Sequence, residues 1–224
     1  MNGKYTMWIL MAGMLLVAYL TSSTWLEIAA TTTGLLSVWL TARQNMWCWP
    51  VSLVNVGLFF FTYFEAKLYA DMTLQVLFFL LSIQGWIVWA TRRGGAKVRP
   101  TSRITPKLTA LLAVILIVVT FAWGHVLERF TDASIPYADA FIATLSIVAQ
   151  LLLSSKILEN WYVWIAVDVL SIGMFLYKEL YVVAFLYLIF LGIATAGLIS
   201  WRKDYRLAAE AAGPVNGSRP GAVV

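Results

Sequence analysis

Residues 108–126 are almost pure hydrocarbon, and 108–122 hold no charged side chain at all. A run of that length and character matches the thickness of a bilayer, which takes about 20 mostly apolar residues to cross as a helix. The sequence contains eight such stretches: 7–20, 26–40, 49–64, 72–90, 108–126, 138–153, 161–177 and 182–201. Their apolar residues are continuous, whereas a spanning β-barrel needs alternation. The chain therefore reads as an all-α integral membrane protein of about eight transmembrane helices. Composition leaves little room for another class, since only 12% of the 224 residues are charged, against about 25% in soluble domains. Segment 7–20 follows a single Lys4 and lacks a small-x-small cleavage pattern, so a retained helix is expected there rather than a signal peptide. The lone Cys48 excludes a disulfide framework and a cysteine-rich metal site.

The basic residues divide unequally between the two sets of loops. Arg43, Lys156, the cluster from Arg92 to Lys107 and the residues around Arg202–Arg206 fall on one side, for a total of 13 with Lys4 and Arg219. Only Lys67, Arg129 and Lys178 fall on the other. By the positive-inside rule, both termini are expected in the cytoplasm. Charges that flank spans in this way also argue against nucleic acid as a partner; the lipid bilayer is the partner expected. The chain divides into an N-terminal helix (1–24), a first bundle (25–91), a basic cytoplasmic loop with a linker helix (92–126), a second bundle (127–203) and a tail (204–224). The tail is rich in Ala, Gly and Pro and is expected to be disordered.

The bundles resemble each other. Leu68-Tyr69, Gly85 and Trp89 recur as Leu180-Tyr181, Gly197 and Trp201, each 112 residues on. Upstream, Asn45 and Trp49 align with Asn160 and Trp164 at an offset of 115, which implies a three-residue difference between the repeats. The unit is three helices, and the single, almost purely aliphatic span between the units makes them parallel. The expected fold is thus two parallel three-helix bundles joined by a linker helix, 3+1+3, plus the extra N-terminal helix. Parallel repeats are a known transporter plan, with the substrate site between the halves.

Polar side chains inside spans are costly and mark either function or helix-to-helix hydrogen bonding. Trp161, Trp164, Asp168 and Ser171 share one helical stripe by their spacing. Two indole faces flanking a carboxylate suit a flat, cationic ligand. Alternatively, Asp168 hydrogen-bonds a neighbouring helix and the tryptophans anchor the interface. Gln75 and Gln150, and Asn55 beside Ser52, are further candidates, with interhelical bonding as the competing role. Asp71 is expected to be solvated near a span end. Catalytic arrangements are missing: the single His125 stands apart from every polar stripe, and no nucleophile–base pair, HExxH or phosphate-binding loop occurs. No enzyme activity, cofactor or metal is expected.

Trp49-Pro50, Asn55, Leu68-Tyr69-Ala70-Asp71, Leu74-Gln75 and Gly85-Trp86-Ile87-Val88-Trp89 resemble the PnuC family of nicotinamide riboside transporters. So do Gln150, Asn160-Trp161-Tyr162-Val163-Trp164, Asp168 and Leu186-Tyr187-Leu188 in the second half. The resemblance covers roughly 26–203. It implies a 3+1+3 fold related to SWEET sugar transporters, a bacterial inner-membrane homotrimer, and facilitated diffusion with a cytoplasmic kinase trapping the substrate. It also implies that Trp161 and Trp164 line the pathway. On these grounds the substrate-binding set is Trp49, Asn55, Gln75, Gln150, Trp161, Trp164, Asp168 and Tyr187. Related branches carry thiamine or riboflavin, and no residue in this chain separates those substrates from nicotinamide riboside. A membrane scaffold or receptor, with its polar residues serving only to hold helices together, is the reading from another class.

Overall fold

The computed structural model describes residues 24–65, 69–91, 98–132 and 134–211. The expected helix at 7–20, Leu68 and the last residues of the tail lie outside them. Seven helices are described: α1 (Trp25–Ala42), α2 (Cys48–Glu65), α3 (Tyr69–Ala90), α4 (Pro106–Phe130), α5 (Pro136–Ser154), α6 (Asn160–Tyr177) and α7 (Tyr181–Ala211). They coincide with the seven apolar runs read between 26 and 201. Five of them, α3 to α7, are long and apolar enough to cross a membrane. The other two carry more polar residues, Glu27 and Thr31–Thr33 in α1, Ser52, Asn55 and Thr62 in α2.

Local chemistry explains where the helices begin. Thr24 and Glu27 form a reciprocal cap on α1, each side chain accepting the other's backbone N–H at 3.3 and 2.9 Å. Thr105 caps α4 ahead of Pro106, its hydroxyl accepting from Leu108 N–H at 3.3 Å. α7 does not stop near Lys203, where the tail was expected to begin, but continues as helix to Ala211. Ala208, Ala209 and Ala211 favour helix, and Gln44 donates to Asp204 at 2.8 Å, fastening the extension to the first bundle.

The α1–α2 and α5–α6 connections are the same turn, displaced by 112 residues. Gln44 and Lys156 are both left-handed, at φ 53° and 55°. Gln44 N–H donates to Thr41 and Lys156 N–H to Leu153, both at 2.9 Å; Asn45 to Leu40 and Ile157 to Leu152 follow at 3.0 and 2.9 Å. Trp49 therefore corresponds to Trp161, and the three-residue difference does not exist. The match of Asn45 and Trp49 to Asn160 and Trp164 was a coincidence of two Asn-x-x-x-Trp strings.

Packing runs α1 on α2, α2 on α3, α3 on α5, α5 on α6, α6 on α7 and α7 back on α1. Six helices thus close a ring, and α4 packs outside it on α5. The face of α4 with Leu111, Val114, Ile117, Val118 and Phe121 is exposed, as a lipid-facing element requires. The two seams that join the repeats, α3 on α5 and α1 on α7, correspond to each other under the repeat.

Candidate functional site

The ring has two unlike ends. One end gathers Arg43, Arg99, Arg103, Lys107, Lys156, Arg202 and Lys203, and the other gathers Glu65, Asp71, Glu128, Asp132, Asp139 and Glu179. At the acidic end Lys178 pairs with Asp139 at 2.9 Å, tying the end of α6 to the start of α5.

At the basic end four tryptophans cross the ring. Trp49 meets Trp89 edge to face (centroids 5.2 Å), Trp89 meets Trp201 (5.4 Å), and Trp201 meets Trp161 edge to face (5.5 Å). All four are at most 2% exposed. Trp89 Nε1 donates to the Leu153 carbonyl at 3.1 Å and Trp201 Nε1 to that of Thr41 at 3.2 Å, each reaching from one repeat into the first helix of the other. Trp49 lies flat enough against Gly85, and Trp161 against Gly197, that no Cβ fits at either glycine; one on Gly197 falls 2.6 Å from the Trp161 ring. Glycine is required at both positions by this close approach.

This geometry changes the meaning of two predicted site residues. Trp49 and Trp161 are buried between a glycine and a second indole, so their rings serve the core. What they leave over is their indole N–H, buried and without an acceptor among the described residues. Asn55 is likewise occupied. It donates to the Ala30 carbonyl at 2.5 Å and to Thr33 Oγ1 at 3.3 Å, joining α2 to α1.

Asp168 differs from these. It lies in the middle of α6 and is 4% exposed, with no hydrogen bond or ion pair to any described residue. An uncompensated carboxylate at that depth is costly, and its persistence points to use. Ser171, fully buried one turn on, and Tyr187 of α7 are its neighbours. Tyr187 packs on Phe175 (5.3 Å) and Phe190 (6.0 Å). Across the ring, Tyr63 of α2 and Asp71 of α3 come within electrostatic reach of Tyr187. The structure thus brings Asp168 and Tyr187 together and adds Tyr63, Asp71 and Ser171 to them. Trp164, half-buried, stays on the Asp168 stripe of α6. Gln75 and Gln150 are both 8% exposed and make no hydrogen bond to a described residue. Under the repeat, Gln75 occupies the place of Tyr187, and Tyr63 that of Phe175. That constant spacing is the signal by which Tyr63 could have been found.

The arrangement offers stacking rings, the buried Asp168 carboxylate and spare amide and indole donors along the ring's interior. It holds no nucleophile poised beside a base, and no group of three His, Cys, Asp or Glu among the described residues could bind a metal. A shallow groove between Arg103, Glu159 and the first turns of α4 lies outside the ring.

The chain is similar to known proteins. The chain is 28% identical over 207 residues to the nicotinamide riboside transporter PnuC of Escherichia coli (strain K12), covering 81% of this chain and 87% of that protein. It is 24% identical over 196 residues to the riboflavin/roseoflavin transporter RibM of Streptomyces davaonensis, covering 84% and 91%. The crystal structure of the vitamin B3 transporter PnuC shares the fold, with a TM-score of 0.74 at 21% identity over 92% of this chain and 93% of that one. The nicotinamide mononucleotide transporter family matches residues 24–203, so this multi-pass membrane protein, a transporter and not an enzyme, belongs to that family.

Proposed function

We propose that the chain carries nicotinamide riboside across the membrane through the interior of the six-helix ring, by facilitated diffusion. The observation that carries this reading is the unpaired, buried Asp168 carboxylate beside Tyr187 and Trp164. A pyridinium riboside is a flat cation bearing hydroxyls and a carboxamide, and it suits an aromatic face, a carboxylate and free polar side chains. Gln75, Gln150 and the spare N–H groups of Trp49 and Trp161 supply hydrogen bonds along the route. With only one deep carboxylate, no second buried acid is available to relay protons, so movement is downhill. The PnuC relatives, nicotinamide riboside transporters by name, support the same substrate.

In this reading the fold is 3+1+3, two parallel three-helix bundles with α4 as the linker, preceded by an N-terminal helix. The 13-to-3 division of basic residues supports a basic end and both termini in the cytoplasm, and the bacterial relatives support the inner membrane as its location. The resemblance to PnuC supplies the remaining parts: a homotrimer, and a cytoplasmic kinase that traps the substrate. A second reading, riboflavin as cargo, is favoured by the similarity to RibM.

Titration calorimetry of the purified protein with nicotinamide riboside, thiamine and riboflavin separates these readings. Saturable heat with the riboside alone is expected. Heat with riboflavin alone replaces the substrate, and silence toward all three leaves a scaffold.

A further inference from the structure

Lys156 is placed where a lysine has no ordinary reason to be. Its side chain is 2% exposed, yet it makes no ion pair and no side-chain hydrogen bond among the described residues. Its ammonium stands 4.5 Å from the centre of the Trp89 ring and 5.9 Å from that of Trp201. These are the two indoles that touch across the ring and join the repeats. The loop is held so that the lysine points inward. Ser102 donates to the Lys156 carbonyl at 3.0 Å and accepts from Leu158 N–H at 2.9 Å, while Glu159 accepts from Ile104 N–H and Arg103.

The repeat supplies an internal comparison. Gln44 has the same backbone conformation at the corresponding position, but it is uncharged and reaches away to Asp204. Among the described residues, only one half therefore delivers a cation to the shared indoles.

The groups facing Lys156 make no direct ion pair with it and offset its burial only in part. α2 presents the Cys48 thiol, and α7 presents Asp204, already bonded by Gln44. The carboxylate of Glu159 is taken by Arg103. α3 offers the ring of Trp89. Burial pushes the Lys156 ammonium down from 10.5 to about 8, and the nearby Cys48 and Asp204 offset only part of that cost.

We infer that Lys156 is a resident cation in the indole cage at the basic end of the ring, occupying faces that a cationic substrate would otherwise use. It thereby sets how strongly the protein discriminates a cationic riboside from a neutral one of the same shape. The inference rests on the transport reading above, because it requires the substrate to pass Trp89 and Trp201. Two cations cannot share those faces, so the bound riboside meets either a displaced ammonium or repulsion. A neutral ligand meets neither.

Calorimetry with nicotinamide riboside and its neutral 1,4-dihydro form tests this on wild type, Lys156→Met and Lys156→Arg. Lys156→Met keeps the apolar stem and removes the charge. It should tighten binding of the cation by about three- to thirty-fold while leaving the neutral form within about twofold. Lys156→Arg should keep the wild-type ratio. Cation binding that is unchanged or weakened in Lys156→Met, or an equal shift for both forms, overturns the inference. A second arm needs no variant: in wild type, the ratio of cation to neutral affinity should rise from pH 6.5 to pH 9 as the ammonium loses its proton. A flat ratio also overturns it. Wild-type protein that binds neither form overturns the transport reading itself, whereas binding of both with a flat ratio overturns only the role of Lys156.

Discussion

Adding one methyl group at Gly85 or Gly197 should destabilise the protein through the tryptophan seam. A Cβ at Gly197 lands 2.6 Å from the Trp161 ring, and one at Gly85 lands closer still to Trp49. Carbon atoms in contact prefer about 3.5–4.0 Å, so each indole must retreat by an ångström or more. Neither can retreat freely, since both are buried and Trp89 and Trp201 pack against them at 5.2 and 5.5 Å. Overpacking of this kind costs about 1–3 kcal/mol, partly offset by the roughly 0.8–1 kcal/mol by which Ala surpasses Gly in a helix. A net loss of up to about 2 kcal/mol corresponds to a shift of up to roughly 8 °C in a chain of this size. Thermal unfolding in detergent, followed by tryptophan fluorescence, measures it. Gly57, Gly173 and Gly192 have nothing within 4 Å of an added Cβ, and their Ala variants should match or exceed wild type. Trp161→Leu should recover much of the loss in Gly197→Ala by making room. A Gly197→Ala variant as stable as Gly192→Ala, or no recovery in the double variant, would refute the wedge.

Two further outcomes follow from the charged groups. Lys156 binds its proton less tightly folded (about 8) than unfolded (10.5), so between those values the unfolded chain holds more protons and stability rises with pH. The melting temperature of wild type minus that of Lys156→Met should therefore increase from pH 7.5 to pH 10, and a constant difference would contradict the buried ammonium. Asp168→Asn keeps shape and deletes charge, so it should weaken the cationic riboside about tenfold or more and spare its neutral dihydro form. Equal losses in calorimetry would show that the carboxylate serves hydroxyl groups instead.

How much of this was legible in the sequence depends on the kind of contact. The seven helices could be placed from apolar run length alone, because a bilayer leaves no other solution for such segments. Offsets of 112 at Gly85, Trp89, Gly197 and Trp201 were visible too. Their purpose was not, since a spacing tells which residues correspond but not that Trp49 and Trp161 fill the space the glycines leave. The stripe from Trp161 to Ser171 gave a shared face without naming its partner. Trp161 turned out to face Gly197 and Trp201, while Asp168 faces Tyr187. Asn55 could not be told from a ligand-binding residue because the Ala30 carbonyl it bonds is a backbone group. Lys156 was counted only as a loop charge; its inward turn depends on a left-handed backbone and a strap from Ser102 that no pattern announces. Closure of the ring by α1 on α7 joins residues 160 apart, as in Trp201 to Thr41, and no local signal encodes it.

Uptake of labelled nicotinamide riboside into proteoliposomes, with no ion gradient imposed, tests the central claim most directly. Wild-type protein should equilibrate the riboside saturably and stop at equal concentrations inside and outside. Trp164→Ala, with normal folding, should need about five- to a hundred-fold more substrate for the same rate, given aromatic stacking of about 1–3 kcal/mol. Uptake that is absent, or that proceeds beyond equal concentrations only when a proton or sodium gradient drives it, would contradict the account.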